Sequence, residues 1–178
     1  MAIAKPIGRY HTIANCVHDG GRDALVPAAR QKSKEPAVQR ASEHVKTFFD
    51  QYESNIGGSD PAAIAAQYGE SFVFAGPQGA QAVRRDDFVK VLPKRQGFFK
   101  SVGLRSSRVV ALEDASVDDR CVLVKAQWRM QFGSAAEPVS AVDVCATYLL
   151  QQQPDGLRIV FQLDHDDLTK RVQELGLA

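Results

Sequence analysis

Asp143, Cys145 and His165 are the side chains whose types and spacing most suggest chemistry: an acid, a thiol and an imidazole on two strand-like runs. Alternation along a strand puts Asp143 and Cys145 on one face. A hairpin centred on Gln153-Pro154-Asp155-Gly156 brings His165 opposite Cys145. The three outline a base, a nucleophile and an orienting acid. The thiol speaks against that triad, because nothing nearby is electropositive enough to favour a thiolate and Cys is commonly a small buried hydrophobe. Asp143 and His165 remain as acid/base candidates. A carboxylate inside an apolar strand is either paired with Arg or Lys, exposed near the strand end, or kept as a general base or neutral donor in a pocket. His165 reads as a base at a pocket mouth or as a side chain hydrogen-bonded beside a helix start. Asp164, Asp166 and Asp167 suit a helix N-terminus. His-Asp-Asp has no second cluster to complete a ligand set, so no metal is expected.

The hairpin that positions these groups has its own signal. Pro, Asp and Gly at successive positions match a type I turn followed by a left-handed glycine, a three-residue loop. That loop pairs Gln153 with Leu157, and counting outward sets Leu149 opposite Phe161 and Thr147 opposite Leu163. One face then carries Asp143, Cys145, Thr147, Leu149, Ile159, Phe161, Leu163 and His165. The other carries Val142, Val144, Ala146, Tyr148, Leu150 and Val160, too apolar for water. Both faces are therefore expected to be covered, one by helices and the other by a second sheet or subunit.

Upstream, Val38, Ala41, Val45, Phe48, Tyr52 and Ile56 recur at helical spacing from Pro36 to Gly57-Gly58. Asp60 caps a short second helix with Pro61 in its first turn, ending at Gly69. Ser71 to Ala75 reads as a strand, Gly76 to Gly79 as a loop, and Arg85-Asp86-Asp87 as the start of a helix that Pro93 must kink or end. Two strands follow, 104–113 and 121–132, joined across Val117-Asp118-Asp119-Arg120. In the second, Val122, Val124, Ala126, Trp128, Met130 and Phe132 alternate with Lys125, Gln127, Arg129 and Gln131. Tyr52, Tyr68, Phe74, Phe98, Phe99 and Trp128 supply aromatic surface that either fills a core or lines an apolar pocket. The runs Arg84-Arg85 and Lys94-Arg95 read as solvated helix faces.

Composition narrows the partners. With 178 residues and 44% hydrophobic content the chain suits one domain, residues 36–178, behind an irregular extension over residues 1–35. A formal net charge of +1 gives no field that would draw it to nucleic acid or to an anionic membrane. No apolar run reaches spanning length, and the first residues carry no secretory pattern. Cys16, Cys121 and Cys145 are odd in number and widely spaced, which fits neither a disulfide framework nor a zinc site and points to a reducing cytoplasm.

The order of helices, one strand, a helix, then four long antiparallel strands and a closing helix gives an α+β domain with helices on one face of a curved sheet. That order, the Phe48-Phe49 helix, the run Phe72-Val73-Phe74-Ala75-Gly76-Pro77 and the closing run Arg158-Ile159-Val160-Phe161-Gln162-Leu163-Asp164-His165 resemble the NTF2-like superfamily over residues 37–176, including its SnoaL-like and ketosteroid-isomerase-like members. The resemblance implies a cone-shaped pocket for a small apolar organic ligand and a homodimer formed through the sheet. It implies no cofactor. The isomerase tyrosine and its two carboxylates find no matching set of positions, so that activity is not carried over. The expectation is a pocket protein, either a cofactor-independent isomerase or dehydratase working by proton transfer or a non-catalytic binding or assembly module. Asp143 and His165 are its acid/base candidates, and Tyr52, Phe74, Trp128, Thr147 and Phe161 its expected ligand contacts.

Overall fold

The computed structural model describes residues 39–58, 60–133, 140–174 and 176. The expected extension over residues 1–35, with Cys16, lies outside them. The two-residue strand β1 (Gln39–Arg40) precedes helix α1 (Glu43–Gly57), so the helix starts later than its apolar spacing from Pro36 suggests. The reason is local competition for the backbone. β1 pairs with Asp114 and Glu113, and the Asp114 carboxylate accepts from both the backbone N–H and the hydroxyl of Ser42. Helix α2 (Pro61–Ala65) is capped by Asp60, which accepts from the Ala62 N–H at 2.9 Å, but it stops before Gly69, which lies inside strand β2 (Tyr68–Gly76).

Between β2 and helix α3 (Arg85–Ser101) the chain turns back as strand β3 (Gly79–Arg84), where only a loop was expected. β3 is an edge strand, almost wholly exposed, so its residues carry no inside-outside alternation to announce it. α3 does not end at Pro93 but continues past it to Ser101. The proline is exposed, so the hydrogen bond it cannot donate is lost at the surface, while Phe88 and Leu92 hold the buried side of the helix. The remaining elements are β4 (Leu104–Ser116), β5 (Cys121–Phe132), β6 (Ser140–Gln153), β7 (Gly156–Asp164) and the closing helix α4 (Leu168–Glu174).

Among the described residues the strands form one open sheet in the order β1-β4-β5-β6-β7-β2-β3, antiparallel except where β2 joins β7 in parallel. Residues without a partner interrupt the ladder in β4 near Val110 and in β7 at Val160, and such bulges bend and twist a strand. The Val109 N–H beside the first bulge is taken up by Glu53 Oε2 of α1 at 2.8 Å, which ties the helix to the bent strand. On the concave face the alternation expected of β5 holds: Val122, Val124, Ala126, Trp128, Met130 and Phe132 are buried. α1 presents Val45, Phe49 and Tyr52 to them, with Phe49 edge-on to Tyr148 at 5.2 Å and Tyr52 edge-on to Trp128 at 5.8 Å. Each such ring contributes roughly 1.5–3 kcal/mol through burial.

The β6–β7 hairpin departs from its expected register in one informative way. Gln153 pairs with Gly156, so the loop holds two residues, Pro154 and Asp155, and Gly156 at φ 119° takes the ladder position assigned to Leu157. The bulge at Val160 then absorbs the offset. Leu149 faces Phe161 and Thr147 faces Leu163 as expected, yet Ile159 turns inward opposite Leu150 and is 0% exposed. Past the bulge the register is the expected one, with Gln162 beside Tyr148 and Asp164 beside Ala146 on the concave face.

Candidate functional site

The concave face encloses a cavity of about 620 Å³. α1 supplies Tyr52 and Ile56, α3 supplies Phe88, Leu92, Arg95 and Phe99, and the sheet supplies Tyr68, Trp128, Met130, Ala146, Tyr148, Gln162 and Asp164. Apolar and aromatic side chains make up much of the wall, joined by Gln96, Lys100, Arg105, Ser106, Ser107 and Asp166, a mixture that suits a small-molecule site. A second cavity of about 520 Å³ adjoins it, lined by the β2–β3 turn, Phe74, Gln81, Phe98, Asp167 and Thr169. Arg95, Phe99, Asp164, Asp166 and Leu168 line both.

The polar groups of the larger cavity form a directed chain. The Tyr68 hydroxyl donates to Gln162 Oε1 at 2.6 Å, and Gln162 Nε2 donates to Asp164 Oδ1 at 2.7 Å. A hydroxyl has one proton and that of Tyr68 is spent on Gln162, so the 2.5 Å contact between Tyr52 and Tyr68 must use the proton of Tyr52. The chain thus runs Tyr52 to Tyr68 to Gln162 to Asp164, every donor pointing toward the carboxylate. Tyr148 stands apart. Its oxygen accepts from Trp128 Nε1 at 3.1 Å, and among the described residues nothing accepts its own proton. Gln162 pairs directly with Tyr148, so Asp164, two positions on, is the diagonal neighbour of Tyr148 on one face, roughly 7–8 Å away.

Burial fixes the protonation of the three phenols. It pushes Tyr52 up to about 12, and raises Tyr68 and Tyr148 well above the ordinary 10.0, with neighbouring phenols adding to the shift for Tyr68 and Tyr148 and the Asp164 charge adding for Tyr148. The positive charge of Arg95 opposes this but does not reverse it. All three are neutral donors at physiological pH. The site therefore offers a ligand one buried hydroxyl with a spare proton and two half-buried carboxylates, Asp164 and Asp166.

The residues singled out from sequence divide between the two faces of the sheet. Tyr52 and Trp128 line the larger cavity and Phe74 the smaller. Asp143, Thr147 and Phe161 occupy register positions on the convex face. There Arg129, directly opposite on β5, donates through Nε to Asp143 Oδ1 at 2.8 Å and through a terminal nitrogen to Oδ2 at 2.7 Å, with Gln127 Nε2 adding a contact to Oδ2 at 3.4 Å. This bidentate pair holds the Asp143 carboxyl below its ordinary 3.8. His165 is exposed, its Nε2 2.8 Å from Thr147 Oγ1 and its backbone N–H bonded to the Cys145 carbonyl at 3.0 Å. The Cys145 N–H in turn donates to Asp166 Oδ2 at 3.1 Å. Of the acids read as helix caps, Asp167 caps α4 by accepting from the Lys170 N–H at 3.1 Å.

Sequence reasoning missed Tyr148, Gln162 and Asp164 as site residues. A signal existed for two of them: Gln162 and Asp164 are polar residues alternating with Phe161 and Leu163, and the register that sets Leu163 opposite Thr147 puts both on the face of Tyr148. Among the described residues no group of three or more His, Cys, Asp or Glu is placed to hold a metal ion, and no helix is long and apolar enough to cross a membrane.

Comparison with known proteins agrees with this architecture. The structure of Aln2 from a Streptomyces species is similar with a TM-score of 0.61 at 18% identity, covering 75% of this chain and 99% of that one. ActVI-ORFA from Streptomyces coelicolor is similar with a TM-score of 0.59 at 17% identity, covering 70% and 96%. The beta subunit of the benzoate 1,2-dioxygenase from Burkholderia mallei is similar with a TM-score of 0.56 at 16% identity, covering 71% and 90%. At these identities the likeness is one of fold. No curated protein matches the chain. A family model described as NTF2-like protein (DUF6841) matches residues 35–167, every strand of the cavity wall and both ends of its hydrogen-bonded chain included, and the chain belongs to that family.

Proposed function

We propose that the protein binds a small, largely apolar carbonyl compound in the concave cavity and moves a proton within it, as an isomerase or dehydratase whose own side chains supply donor and base. One observation carries this reading: a buried neutral hydroxyl with a spare proton, Tyr148, stands diagonal to a carboxylate, Asp164, on one face of the cavity. In an isomerisation Tyr148 donates to the carbonyl oxygen and stabilises the negative charge that develops there. Asp164 removes a proton from the carbon beside the carbonyl, leaving an enol or enolate, and returns it to a different carbon. In a dehydration the same enolate expels a β-hydroxyl, which takes the proton held by Asp164 and leaves as water, so that the carboxylate is restored. Gln162 steadies the carboxylate, and the donors behind it are aligned in one direction, which strengthens each bond. Asp143 and His165 keep to the convex face in this reading, the first as the partner of Arg129.

Deuterium exchange tests it. A methyl naphthyl ketone incubated with the protein in heavy water should exchange the protons beside its carbonyl faster than in buffer, by a proton magnetic resonance assay. Asp164→Asn should remove the acceleration and Asp143→Asn should keep it. Exchange that survives Asp164→Asn would sink the assignment.

A second reading, a homodimeric assembly module, has its own observation. Leu123, Leu149, Phe161 and Val73 lie in one register row across β5, β6, β7 and β2 on the convex face, with Leu123 42% and Val73 36% exposed. One protein of similar fold is a dioxygenase beta subunit. Light scattering decides it: a mass of two chains that Leu123→Lys reduces to one supports the dimer, and one chain for the unmodified protein excludes it. A cytoplasmic location accords with both readings, since Cys121 and Cys145 carry free thiols, the state a reducing compartment keeps.

A further inference from the structure

The two adjoining cavities are built differently, and that difference specifies a ligand. The larger has aromatic and aliphatic walls around the spare proton of Tyr148, and Lys100 and Arg105 line it but not the smaller one. The smaller, about 520 Å³, carries Asp166, Asp167, Thr169 and two glutamines on its wall, so acceptors predominate there. Where the two meet, Asp164 and Asp166 stand against a single guanidinium, that of Arg95, which lies over the Phe99 ring at 5.6 Å and has no ion-pair partner among the described residues. The carboxylates are not equally free. Asp167 is taken up by Gln78 at 3.2 Å and by the start of α4, and Asp164 by Gln162, whereas Asp166 accepts only the Cys145 N–H, through Oδ2 at 3.1 Å. Its other oxygen has no partner among the described residues.

We propose that one ligand occupies both cavities, an apolar ketone carrying a basic amine on a short arm, with the ketone oxygen at Tyr148 and the ammonium at Asp166. This rests on the reading of the concave cavity as the ligand site and adds the chemical class of what enters it. An ammonium at the junction meets two carboxylates and one cation, with Lys100 and Arg105 lining only the larger cavity, so attraction prevails there. A carboxylate there meets the opposite balance. The apolar end supplies the burial and the arm the selection.

Three probes separate the two ideas: a methyl naphthyl ketone, the same ketone with an aminopropoxy arm, and the same ketone with a carboxypropoxy arm. Each is titrated against the full chain by the fluorescence of Trp128, which lines the larger cavity. The amine arm should tighten binding about fivefold over the bare ketone, and ionic strength near ~1 M should erase most of that gain. The carboxylate arm should weaken binding. Asp166→Asn, which keeps an oxygen for the Cys145 N–H, should bind the bare ketone as before and lose the amine preference, with an unchanged melting temperature showing that it folds. Binding of the bare ketone with no gain from the amine, or a preference for the carboxylate, overturns the amine inference and leaves the cavity reading standing. Failure of all three probes to bind overturns both.

Discussion

Gln162 Nε2 donates to Asp164 Oδ1 at 2.7 Å from two positions away on the same strand, while the carbonyl of the same amide accepts from Tyr68 at 2.6 Å. One buried side chain thus joins the phenols of the core to the carboxylate of the cavity. It keeps that place because the bulge at Val160 cancels the offset of the two-residue turn, leaving Gln162 and Asp164 on the concave face.

Gln162→Leu fills the same space but leaves the Tyr68 hydroxyl without its acceptor in a buried setting. An orphaned buried donor costs about 1–3 kcal/mol. Urea unfolding should show that loss as a lower midpoint with an unchanged slope. A variant as stable as the parent would mean that the Tyr68 hydroxyl finds another acceptor and that the chain is not a fixed feature.

Alkaline pH should act through the same phenols. Their folded-state values lie above the ordinary 10.0, with Tyr52 at about 12, so the unfolded chain loses these protons first. The stability they contribute is complete below pH 10 and is lost as pH rises through 12. In a Tyr10→Phe background the phenolate absorbance should stay low past pH 10 and then appear together with the loss of helical circular dichroism. Smooth titration at pH 10 in the folded state would show that the phenols are reached by water.

Acid acts on the other face. Asp143 is held below its ordinary 3.8 by Arg129, so the unfolded chain binds the proton more readily. The contribution is full above pH 3.8 and fades as pH falls through the lower folded value. Asp143→Asn should therefore lower the melting temperature slightly at neutral pH, with the gap to the parent closing in acid. Because the pair is largely exposed, the effect should be small and should shrink in salt. A gap that stays constant down to the acid limit would show that the ion pair is not its source.

Much of the fold was legible in the chain. The β5 alternation, the Asp60 cap, the strand order from β4 to β7 and the α1 stripe at Val45 and Tyr52 follow from burial periodicity and turn chemistry, although α1 buries Phe49 more deeply than the expected Phe48. What was not legible has physical causes. β1 and β3 are short or exposed edge strands, fixed by pairing with partners distant in sequence and not by their own pattern. The two-residue turn at Pro154-Asp155 and the compensating bulge at Val160 involve opposite register shifts, and neither leaves a mark in residue type. The two shifts cancel, so Gln162 and Asp164 lie where the expected register puts them, and the candidate site was half legible because the hydrogen-bonded chain that singles them out forms only in the fold. Tyr52 and Trp128 were placed by periodicity alone, whereas Asp143 attracted notice as a carboxylate in an apolar strand because its partner, Arg129, sits on the neighbouring strand at a register that sequence does not set.

Trp128 is the single tryptophan of the chain and lies in the cavity wall, hydrogen-bonded to Tyr148. Its fluorescence therefore reports directly on whether the concave cavity takes a ligand. The decisive measurement is a titration with a methyl naphthyl ketone in the parent, Tyr148→Phe and Asp143→Asn. A saturable change in the parent, weakened about fivefold or more by Tyr148→Phe through loss of one hydrogen bond and untouched by Asp143→Asn, is the expected result. No change in the parent, or a loss of affinity in Asp143→Asn with Tyr148→Phe unaffected, would contradict the account and move the working site to the convex face.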